Sequence, residues 1–235
     1  MNHWGKKGEG GRKLNDRELL TSSIRTVHDL ARDLIAAAAD GDMKLLFKWL
    51  REGADVNWQD KDGLSAIMKA SIYGKIETYK SLLEEKSDIN LIDKSGADCV
   101  MLAATSGHKE CLLELLKAKG NINTVNNIGR SALMCASAAN RGECVKILHE
   151  AKANIDIQAK NGWTALMYAC EYGYPSISLY LLEQKADVNL QTKTSCVGHF
   201  PKTALSIAAG AKHEFAKMVY DKVYELVDDS EEYSD

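Results

Sequence analysis

No run of about 18 apolar residues occurs in this 235-residue sequence, so nothing in it reads as a membrane-spanning helix. Lys6 and Lys7 are not followed by an apolar core, which argues against a secretory leader. The motifs of common chemistries are missing too. There is no GxxxxGK(S/T) phosphate loop, no GxGxxG after a strand, no HExxH and no zinc-ligand spacing. Cys99, Cys111, Cys135, Cys144, Cys170 and Cys196 form no CxxC pair. Free thiols at helix positions suit the reducing cytosol or nucleus. His3, His28, His108, His149, His199 and His213 are scattered, and none is spaced with a Ser or Cys nucleophile. Cys196 and His199 lie close together, but a structural metal site needs about four ligands and no others accompany them. These absences predict a chain without enzymatic activity, cofactor or metal.

Charge of one sign is lacking over most of the chain. The formal net charge is −3. Residues 1–13 are basic through Lys6, Lys7, Arg12 and Lys13, and residues 225–235 hold six acids and no base, which leaves the stretch between them neutral. A neutral body does not make a nucleic-acid surface. Residues 1–21 read as a flexible, Gly-rich basic arm carrying Trp4, and residues 226–235 as an acidic tail.

What is present is a step of 33 residues. Gly63, Gly96, Gly129 and Gly162 are followed by Ser65-Ala66-Ile67-Met68, Asp98-Cys99-Val100-Met101, Ser131-Ala132-Leu133-Met134 and Thr164-Ala165-Leu166-Met167. Leu82-Leu83, Leu115-Leu116, Ile147-Leu148 and Leu181-Leu182 keep the same step. Self-similarity at a fixed period of roughly 20–50 residues predicts a stacked array. Each unit reads as turn, helix, tight turn, helix, loop. In the second unit, Asp60 and Gly63 make a turn, Ser65 caps a helix that Gly74 ends, and Ile76, Tyr79, Leu82 and Leu83 give the next helix its apolar stripe. Upstream, apolar spacing from Ser22 to Ala38 predicts a helix stopped by Gly41, and a second with Leu45, Leu46, Trp49 and Leu50 is ended by Gly53. This first unit lacks the preceding Gly turn, as a capping unit does.

The pattern resembles the ankyrin repeat family, whose units read approximately D-x-x-G-x-T-P-L-H-x-A-A-x-x-G-H, then a helix ending L-L, then G-A-D-x-N. Asp60, Gly63, Ser65, Ile67, Ala70 and Gly74 carry it first; then Asp93, Gly96, Val100, Ala103, Ala104, Gly107 and His108; then Gly129, Ser131, Leu133 and Ala136; then Gly162, Thr164, Leu166, Ala169 and Gly173. The resemblance implies an all-α ankyrin-repeat solenoid of about six stacked helix-turn-helix units with protruding turn or hairpin loops. The array is expected over residues 22–225, with repeats at about 22–57, 58–90, 91–123, 124–156, 157–189 and 190–225.

Four departures from the family pattern are informative. Met68, Met101, Met134 and Met167 stand where the family has His, and they read as core. Asn140 replaces the mid-unit Gly and tolerates the same left-handed turn. Lys86, Lys119, Lys152 and Lys185 replace the Gly that ends the second helix. That replacement costs roughly 1 kcal/mol each, against which the helix dipole returns about 0.3–1 kcal/mol. Six added residues between Asn189 and Thr203 insert a loop, 194–201, into the last repeat, and a surface loop of that kind adds specificity.

The resemblance also implies where a partner sits: on the concave side, at the two residues after the Asp of the turn, the one after its Gly, and the two before the mid-unit Gly. Here those include Lys61, Asp62, Leu64, Ile72 and Tyr73, then Lys94, then Ile128 and Arg130, then Lys160, Trp163, Glu171 and Tyr172. Apolar and aromatic residues at exposed positions mark partner sites. The expected function is a non-enzymatic scaffold or adaptor, monomeric by itself, that binds a protein through this face in the cytoplasm or nucleus. Two other readings follow from the same residues: a regulator or assembly chaperone of an enzyme such as a kinase or proteasomal ATPase, and a binder of nucleic acid or an acidic ligand through the lysine ladders.

Overall fold

All but one of the first helices begin where a side chain takes over a backbone N–H that the helix cannot satisfy. Asp98 accepts from Met101 N at 2.9 Å, Ser131 from Met134 N at 3.4 Å and Thr164 from Met167 N at 3.3 Å. Ser65 holds the equivalent place, but its hydroxyl has no partner, and its own N–H points to Met68 Sδ at 3.5 Å. The structure, a computed structural model, describes residues 26–193, 200–210 and 216–231, with side chains to residue 225. The basic arm with Trp4, the inserted Cys196 and His199, and the residues after Glu231 lie outside the described residues.

Twelve helices in six pairs make up the described chain: α1 (Val27–Asp40) and α2 (Met43–Arg51), α3 (Ala66–Tyr73) and α4 (Ile76–Glu84), α5 (Cys99–Ser106) and α6 (Lys109–Lys117), α7 (Ala132–Ala138) and α8 (Gly142–Glu150), α9 (Ala165–Glu171) and α10 (Pro175–Glu183), α11 (Ala204–Gly210) and α12 (Ala216–Glu231). Helix α1 begins at Val27, while Ser22 and Ile24, with which the sequence pattern opens, lie outside the described residues. Thr26 and Asp29 close a reciprocal cap there, with Thr26 Oγ1 accepting from Asp29 N at 3.1 Å and Asp29 Oδ2 accepting from Thr26 N at 3.2 Å. The one β-type pairing among the described residues is an isolated bridge between Val125 and Ser131.

First helices stack on first helices: α1 on α3, α3 on α5, and so on to α11. Close approach is possible because Ala70, Ala103, Ala136, Ala169 and Ala208, in one register, are fully buried. The methionine ladder is core as expected, since Met68, Met101, Met134 and Met167 are all buried. Leu82, Leu115, Leu148 and Leu181, one on each second helix of repeats two to five, are equally buried. Each contributes on the order of 1.5–3 kcal/mol, but only with both neighbouring units in place.

The helix ends of the first five pairs are left-handed. Gly41, Gly74 and Gly107 close the first helices at φ of 78°, 64° and 86°, and Asn140 does so at 57°. After the second helices, Lys86, Lys119, Lys152 and Lys185 adopt φ of 62°, 62°, 69° and 62°. The lysines therefore accept the backbone position that glycine fills in the family pattern.

Candidate partner-binding face

The face is built from fingers, one at the start of each of repeats two to five. Asp60 Oδ1 accepts from the backbone N–H of Asp62 at 2.8 Å and Leu64 at 2.9 Å. Asp93 does the same for Ser95 and Ala97, and Asn126 for Ile128 and Arg130. Repeat five has Ala159 in that register, and Asn161 Oδ1 accepts from Trp163 N at 3.2 Å instead. The fingers are bonded in series. Lys94 N donates to Asp62 O at 3.0 Å, Asn127 N to Ser95 O at 2.8 Å, Lys160 N to Ile128 O at 3.1 Å and Lys193 N to Asn161 O at 2.8 Å. The 33-residue register therefore sets Lys61, Lys94, Asn127, Lys160 and Lys193 in one row of tips, all exposed.

Below the tips of repeats four and five lies an aromatic cluster. Tyr168, on α9, is buried. Trp163 packs against it with ring centroids 5.0 Å apart, and Tyr172 stacks on it at 6.5 Å with planes 12° apart. Tyr174 continues the series at 6.1 Å from Tyr172. Arg130, one unit earlier, lies over Tyr168 with its guanidinium carbon 4.5 Å from the ring centroid, and its Nε donates to the hydroxyl at 2.8 Å. A cation over an aromatic face is worth about 0.5–2 kcal/mol depending on its desolvation. A cleft of about 290 Å³ opens here, lined by Ile128, Arg130, Lys160, Asn161 and Tyr168.

Residues 34–126 and 113–192 match the family described as ankyrin repeats, in three copies. The chain belongs to the ankyrin repeat family. No curated protein matches it. Ankyrin repeats serve generally as protein–protein interaction modules.

Within the ankyrin array, the expected contact positions separate into two groups. Lys61, Asp62, Tyr73, Lys94, Ile128, Lys160, Glu171 and Tyr172 are exposed. The position after each turn glycine is not. Leu64, Arg130 and Trp163 are half-buried and Ala97 is buried. That position is the neck of the finger: Leu64 O accepts from Asp60 N at 3.0 Å, and the carbonyls of Ala97, Arg130 and Trp163 repeat the bond. Leu64 and Trp163 consequently pack against the core. Ile72 is half-buried as well, and its carbonyl lies 2.8 Å from His108 Nε2 of the next unit.

The structure brings Ile128, Arg130, Lys160, Trp163 and Tyr172 together around Tyr168. Tyr73 lies on α3, three units before Tyr168, and among the described residues no ring contact joins it to the cluster. Tyr168 was not among the expected site residues. Its signal is the register: Lys69, Leu102, Cys135 and Tyr168 share one position and differ in size and charge, whereas neighbouring core positions repeat.

Among the described residues no group of three or more His, Cys, Asp or Glu is placed to hold a metal ion, and no helix is long and apolar enough to cross a membrane. Cys99, Cys111, Cys144 and Cys170 are free and buried. Burial pushes the Cys99 thiol up to about 12 and the other three to about 11, so none is a thiolate nucleophile near neutrality.

Proposed function

We propose that this ankyrin chain is a non-enzymatic adaptor that holds a protein partner against the fingers and first helices of repeats two to five. Tyr73, Arg130, Trp163 and Tyr172 are its anchors. The observation that carries the reading is the exposure of large apolar side chains along this face: Tyr73, Ile128 and Tyr172 are 52%, 54% and 50% exposed. Aromatic and arginine side chains dominate interface energies, and exposed apolar groups rimmed by charge mark contact surfaces. Trp163 contributes from the floor, where it fixes Tyr168.

The test is affinity capture with the full chain and with Tyr73→Ala/Tyr172→Ala. Both side chains are half-exposed, so the variant should melt close to the unaltered chain and lose the retained protein. Retention of the same protein by a folded variant would overturn the reading.

A further inference from the structure

We propose that the cleft between the fingers of repeats four and five is an anion-reading subsite, which grips an Asp or Glu side chain on an acidic segment of the partner protein. The inference rests on the adaptor reading and adds the chemistry of what is bound.

The cleft is cationic without compensation. Two of its five lining residues, Arg130 and Lys160, are basic and none is acidic. The ion pairs among the described residues are Asp29 and Asp33 with Arg32, Asp60 with Lys69, Glu77 with Lys80, Glu114 with Lys117, Glu143 with Lys146 and Glu225 with Lys222; none involves Arg130 or Lys160. Arg130 is also held in place. The stack on Tyr168 and the bond from Nε to its hydroxyl engage one edge of the guanidinium. The two terminal nitrogens have no hydrogen-bond partner among the described residues. A guanidinium fixed by stacking loses little freedom on binding, and its fork matches a carboxylate. The Lys160 backbone is pinned to Ile128 O, which sets a second positive charge on the rim of the cleft. Exposed Ile128 supplies an apolar lip for the residue beside the acid.

A nucleic acid fits these observations less well. Phosphate recognition needs a continuous basic track, and the tip row is interrupted by Asn127 and flanked by Asp62 on a chain of net charge −3. A single fixed arginine with an apolar lip suits one carboxylate in a peptide.

The experiment selects random dodecapeptides displayed on phage against the full chain, then measures the affinity of a selected, labelled peptide by fluorescence anisotropy. Asp or Glu should be enriched at one position, and changing that residue to Asn or Gln should weaken binding about tenfold. Lys160→Glu, at an exposed side chain, should leave melting unchanged and weaken binding about as much. Arg130→Lys keeps the charge but loses the fork, and should weaken binding several-fold. Peptides with no acidic preference that are nonetheless lost by Tyr73→Ala/Tyr172→Ala would overturn the subsite and leave the adaptor reading standing. Peptides insensitive to all of these variants would overturn both. Binding of an oligo(dT) strand that falls steeply with salt and is abolished by Lys160→Glu, with no acidic peptide bound, would replace the proposal with a nucleic-acid site.

Discussion

A Cβ added to Gly129 would stand 2.7 Å from the backbone nitrogen of Lys160 on the next finger. The same holds along the row: Gly63 would meet Lys94 N at 2.9 Å, Gly96 would meet Asn127 N at 2.8 Å and Gly162 would meet Lys193 N at 2.5 Å. These glycines serve both the left-handed turn, with φ near 80°, and the close passage of the next finger. Gly53 has the turn requirement alone, with φ of 89° and nothing within 4 Å of an added Cβ. Gly53→Ala should therefore cost about 1–2 kcal/mol, the price of left-handed backbone. Gly129→Ala should cost more, by roughly a further 1–2 kcal/mol, because backbone must move. Urea unfolding of the two variants side by side checks this. Equal losses would mean that the fingers can part freely.

The four left-handed lysines make the reverse prediction. Each of Lys86, Lys119, Lys152 and Lys185 is an exposed non-Gly residue at φ between 62° and 69°. Replacing any one by Gly should raise stability by up to about 0.7 kcal/mol, once the lost attraction to the helix dipole is set against the relieved strain. The four gains should add, since the sites lie in separate units. A thermal melt of the fourfold variant that stays put or falls would show that the lysine stems pack on the stack.

Tyr79 is fully buried on α4, and its hydroxyl has no hydrogen-bond partner. One and two units further on, Leu112 and Val145 occupy the same register with no polar atom to satisfy. Burial pushes the phenol far above its usual range, as an unsolvated hydroxyl requires. Tyr79→Phe removes that buried group and keeps the ring, so stability should hold or rise by up to about 1 kcal/mol. Chemical denaturation at neutral pH measures it, and a loss above about 1 kcal/mol would show that the hydroxyl has a partner after all.

Most of the fold was legible from the 33-residue step because a stack repeats its contacts along with its sequence. Met68, Met101, Met134 and Met167 are buried for the same reason that they recur, and Asn140 and the four lysines take glycine conformations because the backbone repeats whatever the side chain. The face was less legible because it is built from what does not repeat. A position rule places Leu64, Arg130 and Trp163 on one surface, yet the finger's own carbonyl bond draws that position into the neck. Tyr168 reaches Arg130 across 38 residues, a contact created by the size of one side chain in one unit; periodicity marks the position as the one that breaks register, but not which residue it meets.

Buried thiols give the stack a pH limit. An unfolded thiol ionises near 9.0, while burial raises folded Cys99 to about 12 and Cys111, Cys144 and Cys170 to about 11. Below pH 9 both states are protonated and the shift has no effect. Above it the unfolded chain releases protons that the folded chain keeps, so stability falls as pH rises. Cys99 alone should account for a loss of about 2 kcal/mol by pH 10.5. Ala66, Ala132 and Ala165 stand in the register of Cys99, so Cys99→Ala fits the stack and should remove that part of the loss. Urea midpoints at pH 8 and 10.5 under reducing conditions decide it; the same decline in both proteins would assign the loss to other groups.

Tyr168 holds the candidate site together in two separable ways. Its hydroxyl accepts from Arg130 Nε, and its ring carries Trp163, Tyr172 and the Arg130 guanidinium. Tyr168→Phe removes only the hydrogen bond, and a phenyl face still attracts a cation, so the cost should be about 1 kcal/mol. Tyr168→Ala removes the platform from a buried position and should cost about 3–5 kcal/mol. Tyr73→Ala, at a half-exposed ring outside the cluster, should cost well under the Tyr168→Ala value and serves as the control. If Tyr168→Ala unfolds no more readily than Tyr73→Ala, the cluster contributes nothing to holding repeats four and five in register. Arg130 would then be positioned by its own backbone rather than by the ring beneath it.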